Sequence, residues 1–394
     1  MNCITQLALR NLRNTDKQLH INMNSNPFLI HGYQGPEYFC DRQEETADII
    51  NALENGCNMT LISPRRYGKT GLIHNVFHHL REQDKKTICF YVDIYATHSL
   101  NDFVQLFAKA VLGHLDTPLQ KVESLINKVF RYSQVTMSPD LVTGMPQFSL
   151  NFQPQHTAST LEDIFTYLDK SERTCYVAFD EFQQILEYAE KDVEALLRTY
   201  IQQTHNVRFI FSGSKQHMMI EMFNSPKHPF YRSTERLHLN TLDEKVYYVF
   251  AAEKLKQRGV SLSEDLFHTI YTQVDGVTWY LQAIMNRFYR MSDSIVTKEI
   301  CQETINGIIK REEEEYKHLY HLLTANQASL LLAIAKEEVV KEPLSGLFLR
   351  THNLKSPSSV QRALQYLMNE EYVYHSDDGY IVYDRFFALW LKKY

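Results

Sequence analysis

No two of the six cysteines, at positions 3, 40, 57, 89, 175 and 301, form a C-x-x-C pair. That spacing offers neither a zinc cluster nor a disulfide framework, so the thiols read as reduced cysteines of a cytosolic protein. No stretch approaches the roughly 18 unbroken apolar residues of a membrane-spanning helix. Residues 4–9 are too few and too polar for the apolar part of a secretory signal. A cytoplasmic chain with no membrane partner is expected. An excess of positive charge is missing too: 41 Lys and Arg against 47 Asp and Glu leave a net charge of −6 and a pI near 6.3. That balance argues against a protein coated for nucleic acid and leaves room for one local basic face. The 17 histidines supply no zinc-binding helix with a general-base glutamate, the nearest cluster being His74, His78 and His79. A G-x-S-x-G nucleophile elbow is also absent.

What is present is an ordinary globular balance, 44% hydrophobic and 22% charged, in 394 residues that suffice for two or three domains. Its strongest local pattern runs from Asn58 to Leu80. Met59–Ile62 reads as a buried strand, Ser63–Thr70 (SPRRYGKT) as a tight turn, and Leu72, Ile73, Val76, Phe77 and Leu80 recur at helical spacing. A strand, a loop ending in Gly-Lys-Thr and an amphipathic helix together make a phosphate site of the Walker A kind. Loop N–H groups and the positive end of the helix dipole surround the β-phosphate. Lys69 reaches the β- and γ-phosphates, and the Thr70 hydroxyl ligates Mg²⁺. Ser63, Pro64, Arg65, Arg66, Tyr67, Gly68, Lys69, Thr70 and Gly71 are therefore the expected nucleotide-binding residues. Ser63 stands where the usual pattern has its first glycine, a departure that matters only if the position needs a positive φ.

A second chemical element is CYVAFDEFQQI, Cys175–Ile185. Tyr176–Phe179 form a buried strand delivering Asp180 and Glu181 at its C-terminal end, a Walker B arrangement. Asp180 would hold Mg²⁺ through its water shell, and Glu181 would act as general base on the attacking water. The strand Val207–Phe211 ends in SGSK, placing Ser212 or Ser214 beside Asp180, with Ser214 preferred as the group that senses the γ-phosphate or fixes the water. Arg232, in the loop HPFYRST, would add charge at the γ-phosphate in cis or from a neighbouring subunit. A plain surface ion pair is the alternative there.

Around these motifs, residues 1–22 read as an appendage or extension, and FCDRQEETADIINAL as a helix that Asp41 caps and that closes over the adenine. Residues 135–159 carry one charged residue and an alternation at Phe148, Leu150 and Phe152, which predicts a hairpin inserted in the core.

The set NPFLIHGYQGPEYFCDRQEE, SPRRYGKTGLI, VAFDEFQQI, FSGSKQHMM and HPFYRST resembles the AAA+-like family called archaeal ATPases, close to the STAND and origin-recognition branches of the P-loop superfamily. The resemblance runs from about residue 26 to the C-terminus. It implies ATP, Mg²⁺ and an α/β P-loop core with a parallel sheet and helices on both faces, its two Walker motifs on adjacent regions of the sheet. A helical lid and a winged helix would follow. The lid's Gly-x-Pro signature appears here as Gly276-Val277-Thr278.

The expected division is a core over 23–240, a lid over 241–318 and a winged helix over 319–394. In the last, a helix opening at Ser356-Pro357 exposes Lys355, Gln361, Arg362 and Gln365, while Asp377 and Asp378 sit at the wing tip. Carboxylates where phosphate would approach work against DNA binding, so a protein-contact or lid-supporting role is preferred. The expected function is Mg²⁺-dependent ATP hydrolysis coupled to a conformational switch, with a protein partner or a second copy of the chain. A nucleotide-gated DNA-binding or signalling module is the alternative.

Overall fold

The computed structural model describes residues 26–113, 133–139, 146–152, 154–292, 294–376 and 378–393. The expected appendage over residues 1–22, residues 140–145 and 153 of the expected insertion, and Asp377 lie outside the described residues. The chain divides into two compact units, one of residues His31–Leu242 and one of Asp243–Tyr394 together with the segment ending at Ile30.

In the first unit the order is α1 (Gln43–Glu54), β1 (Met59–Ile62), α2 (Lys69–Gln83), β2 (Ile88–Asp93) and α3 (Leu100–Gly113). A two-stranded antiparallel ribbon follows, β3 (Ser133–Pro139) with β4 (Pro146–Phe152), in which Met137 stands opposite Phe148. Then come α4 (Thr157–Asp169), β5 (Cys175–Asp180), α5 (Val193–Gln203), β6 (Val207–Gly213), α6 (Gln216–Asn224) and β7 (Glu235–His238). The five strands outside the ribbon form one parallel sheet in the order β2-β5-β6-β1-β7. The strand carrying the Walker A loop and the strand carrying Asp180 are thus not neighbours, because β6 runs between them.

Alternation along the strands buries both faces of this sheet. Val177 and Phe179 of β5 and Phe209 and Phe211 of β6 enter one core, where Phe179 and Phe209 stack at 6.2 Å and Phe182 closes on Phe211 at 4.6 Å. Tyr176, Ala178 and Ile210 enter the other, against Ile49 and Leu53 of α1 and Leu72, Val76 and Phe77 of α2. The strands therefore read in sequence as continuous apolar runs. The same alternation puts Asp180 on the face that α2 covers. Asp41 does not take the N-cap position of α1: Arg42 stands there at φ 72°, its guanidinium donating to Glu45 Oε1 at 2.7 Å and to the Asn240 carbonyl at 2.5 Å.

The second unit is helical at first, with α7 (Glu244–Lys256), α8 (Glu264–Gln273), α9 (Thr278–Tyr289), α10 (Lys298–Arg311) and α11 (Glu313–His321). Phe28 is fully buried there between Phe250 and Tyr289, and Asn286 Nδ2 donates to the Phe28 carbonyl at 2.7 Å. Val277 caps α9 and Thr278 takes the first helical position, the place a proline fits without losing a bond. A winged helix completes the unit: α12 (Ala325–Glu337), α13 (Gly346–Thr351), α14 (Pro357–Asn369), β8 (Val373–Ser376), β9 (Gly379–Val382) and α15 (Arg385–Leu391). Val340 pairs with Tyr380 as a third, single-residue rung of the wing. Ser356 precedes α14 as expected, but its hydroxyl pairs with Ser358 Oγ at 3.1 Å and makes no cap to the helix. The Arg385 guanidinium, buried in α15, is ion-paired with Asp275 in the turn before α9. Among the described residues no helix is long and apolar enough to cross a membrane.

Candidate active site

β1 is buried along its whole length and ends at Ile62, so the chain must turn sharply to enter α2. Positive φ in the turn falls at Arg66 (72°) and Gly68 (93°), whereas Ser63 lies outside the left-handed region. The place of the usual first glycine therefore asks nothing that a serine cannot give. Left-handed residues at Arg66 and Gly68 bend successive N–H groups into a concavity suited to an anion. Gly68, the N-cap of α2, makes no side-chain cap to the first turn, whose N–H groups and positive dipole end suit an anion. Lys69 is buried, and its Nζ donates to the carbonyls of Ser63 at 2.8 Å and Pro64 at 2.9 Å. At Gly71 a Cβ would stand 3.3 Å from the Phe39 ring, a contact tight enough that the ring would have to shift by a few tenths of an ångström. Arg65 reaches sideways, its Nε donating to Ser214 Oγ at 3.3 Å and its guanidinium 5.5 Å from the centre of the Tyr95 ring. Beside α2, a cleft of about 420 Å³ lies against α1, walled by Phe39, Thr46, Asn51, Asn75, His79 and Gln83.

Asp180 is the meeting point of three elements. Its Oδ2 accepts from Thr70 Oγ1 at 3.1 Å and from the Tyr91 hydroxyl at 2.5 Å, and its Oδ1 accepts from the Glu181 N–H at 3.0 Å. Burial and the adjacent Asp180 carboxylate push the Tyr91 phenol well above its ordinary range, so it stays a donor. Asp93 stands directly opposite Asp180 in the β2–β5 register. Its carboxyl is pushed up, first by burial and further by Asp180 and Glu181, a concentration of negative charge that a divalent cation would relieve.

Glu181 leaves the strand in the left-handed conformation, φ 56° and ψ 40°. Its Oε2 accepts from Ser214 Oγ at 2.7 Å, the Ser214 N–H at 3.3 Å and Gln183 Nε2 at 2.7 Å. Lys69, Thr70, Asp180, Glu181 and Ser214 thus converge at the C-terminal ends of β1, β5 and β6. Arg232 does not join them. It precedes β7, whose first residue donates its N–H to the Asn58 carbonyl, so Arg232 belongs to the opposite end of the parallel sheet. Its exposed guanidinium lies 5.2 Å from the Tyr231 ring centre. The expectation of an arginine acting in cis is corrected accordingly.

Three residues here escaped the reading of the sequence. Tyr91 and Asp93 required the pairing of β2 with β5. Gln183 had a faint signal, two positions after the candidate base in DEFQ.

Residues 39–284 match the model of a family described as an ATPase domain predominantly from Archaea, well over half of the chain. The chain belongs to this family. Residues 314–393 of the same ATPase match the model of a probable winged helix domain. No curated protein sequence matches it. Among solved structures, the Walker-type ATPase paby2304 of Pyrococcus abyssi is similar over 93% of this chain and 99% of its own, at 17% identity and a TM-score of 0.63. The ADP form of the Aeropyrum pernix ORC2 protein is similar over 91% of this chain and 93% of its own, at 15% identity and a TM-score of 0.51. At such identities the likeness shows the fold alone. Fold and family together make this a nucleotide-binding P-loop ATPase domain with a winged helix at its C-terminal end.

Proposed function

We propose that this ATPase binds ATP with Mg²⁺ on residues Ser63 to Gly71 and hydrolyses it to ADP and phosphate, coupling turnover to a conformational switch. The observation that carries the reading is the junction of Thr70 Oγ1 with Asp180 Oδ2 at 3.1 Å, one residue from Glu181. Among the described residues no group of three or more His, Cys, Asp and Glu side chains is placed to hold a metal. The pair Thr70 and Asp180 instead suits Mg²⁺, which takes one or two protein oxygens and fills the rest of its shell with water and phosphate. When bound, Mg²⁺ neutralises charge on the phosphates. The protein's own residues supply the remainder. Lys69 exchanges its two carbonyl partners for phosphate oxygens, the first-turn N–H groups of α2 receive the β-phosphate, and Glu181 takes a proton from the attacking water.

Support for a switch over a DNA-dependent enzyme comes from the second unit, where the buried Arg385 and the exposed Asp275 join the winged helix to the turn before α9. Mg²⁺-dependent phosphate release by the full chain and by Glu181→Gln, each with and without duplex DNA, tests the proposal. Loss of about 10²–10⁴-fold in the variant, with ATP still bound, is the expected result. Equal turnover in both proteins would overturn the assignment of the base.

A further inference from the structure

We infer that Gln183 is a positioning residue for Glu181, clamping one carboxylate oxygen so that the other takes the proton; the inference rests on Glu181 being the base. Oε2 of Glu181 receives three donors, Ser214 N–H, Ser214 Oγ and Gln183 Nε2, while among the described residues no donor reaches Oε1. A carboxylate loaded on one oxygen keeps its lone pairs for proton transfer on the other.

The surroundings of Gln183 are those of a group kept for this contact. The side chain is 2% exposed, and its Oε1 is buried without a hydrogen-bond partner. An apolar side chain of the same length would avoid that penalty, so packing alone does not account for an amide here. Room for the amide exists only because residue 213 is glycine: a Cβ there would stand 2.2 Å from Gln183 Oε1. The turn is anchored on either side by Phe182, fully buried against Phe211, and by buried Ile185. Glu181 itself occupies a left-handed conformation that an L-residue adopts only when its surroundings impose it, and the clamp is part of what imposes it.

The test is a double-mutant cycle on the full chain, with Gln183→Met, Glu181→Gln and the double variant compared with wild type for ATP turnover, affinity for a fluorescent ADP analogue and melting temperature. Gln183→Met should lower kcat at least about tenfold with KM and ADP affinity within about twofold, the signature of a group acting on the chemical step. Its melting temperature should not fall. In the Glu181→Gln background the same change should alter residual turnover by less than about twofold, since the oxygen it positions is no longer a base. Gln183→Asn, too short to span the contact, should repeat the loss of kcat and covers the case of a poorly folded Met variant. Wild-type turnover in Gln183→Met, or a loss equal in both backgrounds, overturns the inference while leaving Glu181 as base. Equal turnover of wild type and Glu181→Gln would overturn the base, and the inference with it.

Discussion

Thr70 and Asp180 stand 110 positions apart in the chain, and Thr70 Oγ1 donates to Asp180 Oδ2 at 3.1 Å. The contact spans the sheet, since Thr70 follows β1 and Asp180 ends β5, with β6 between them. α2 closes the gap by lying on the face to which Asp180 points.

Asp180→Asn keeps the shape and the bonds from Thr70 and Tyr91 but removes the one charge of the proposed ligand pair. Turnover should fall by about 10²-fold or more, in line with losses of a transition-state charge partner. ADP binding without Mg²⁺ should stay near the wild-type level. Titrating ADP with and without Mg²⁺ measures both. An unchanged Mg²⁺ dependence would remove Asp180 from the metal site.

Ser63 gives a cleaner test of the loop. Because it does not adopt a positive φ, restoring the usual glycine gains no backbone freedom that the fold uses. Ser63→Gly should destabilise the protein by roughly 0.5–1 kcal/mol through greater freedom of the unfolded chain. It should not tighten ADP binding. Urea midpoints and an ADP titration decide it, and tighter binding by the glycine variant would show that the serine compromises the cradle.

Much of this site was legible in residues 58–80 and 175–185, because a buried strand followed by a fixed chemical loop leaves a pattern that needs no long-range information. Ser214 was legible for the same reason, at the end of a third apolar strand. Tyr91 and Asp93 were not, since nothing local to TICFYVDI says which strand it will pair with. Gln183 was hidden by its neighbours: an amide in a short turn reads as a solvated residue until Gly213 and Phe182 are seen to bury it. The cis role of Arg232 failed in the opposite way. Its residue type fitted the chemistry, but a residue just before a parallel strand lies at the end of the sheet away from the phosphate loop.

His74 ties acid stability to this region. Its ring lies 4.7 Å from Tyr91 and 6.1 Å from Tyr33, and its pKa is lowered from 6.5, first by burial and then by Arg81, with Asp180 opposing. The folded state therefore binds this proton less readily than the unfolded chain. The stabilising effect is present above 6.5 and is lost as the pH falls through the lower folded value. One such group changes stability by at most about 1.4 kcal/mol per pH unit. Replacing it with glutamine costs the ring contacts but removes this slope, so the stability gap between wild type and His74→Gln should narrow on going from about pH 7.5 to about pH 5.5. Parallel denaturation profiles would refute the assignment.

The winged helix separates a switch from a DNA-dependent enzyme. α14 carries no acidic residue, and Gln361, Arg362 and Gln365 are exposed on it, as a helix entering a major groove would require. Against that stand the net charge of −6 and Asp378 beside the wing strand β9. Cations supply most of the affinity for the phosphate backbone, and a carboxylate at the same approach repels it. The balance favours a domain that supports its own unit, to which it is already joined through Arg385 and Asp275. Saturating duplex DNA should leave ATP turnover within about twofold, and Arg362→Ala should change neither turnover nor any residual, salt-sensitive DNA binding by more than one phosphate contact's share, a slope of about 0.9 in log affinity against log salt. Stimulation by DNA that Arg362→Ala abolishes would place α14 in the groove and make DNA the partner that the ATPase serves.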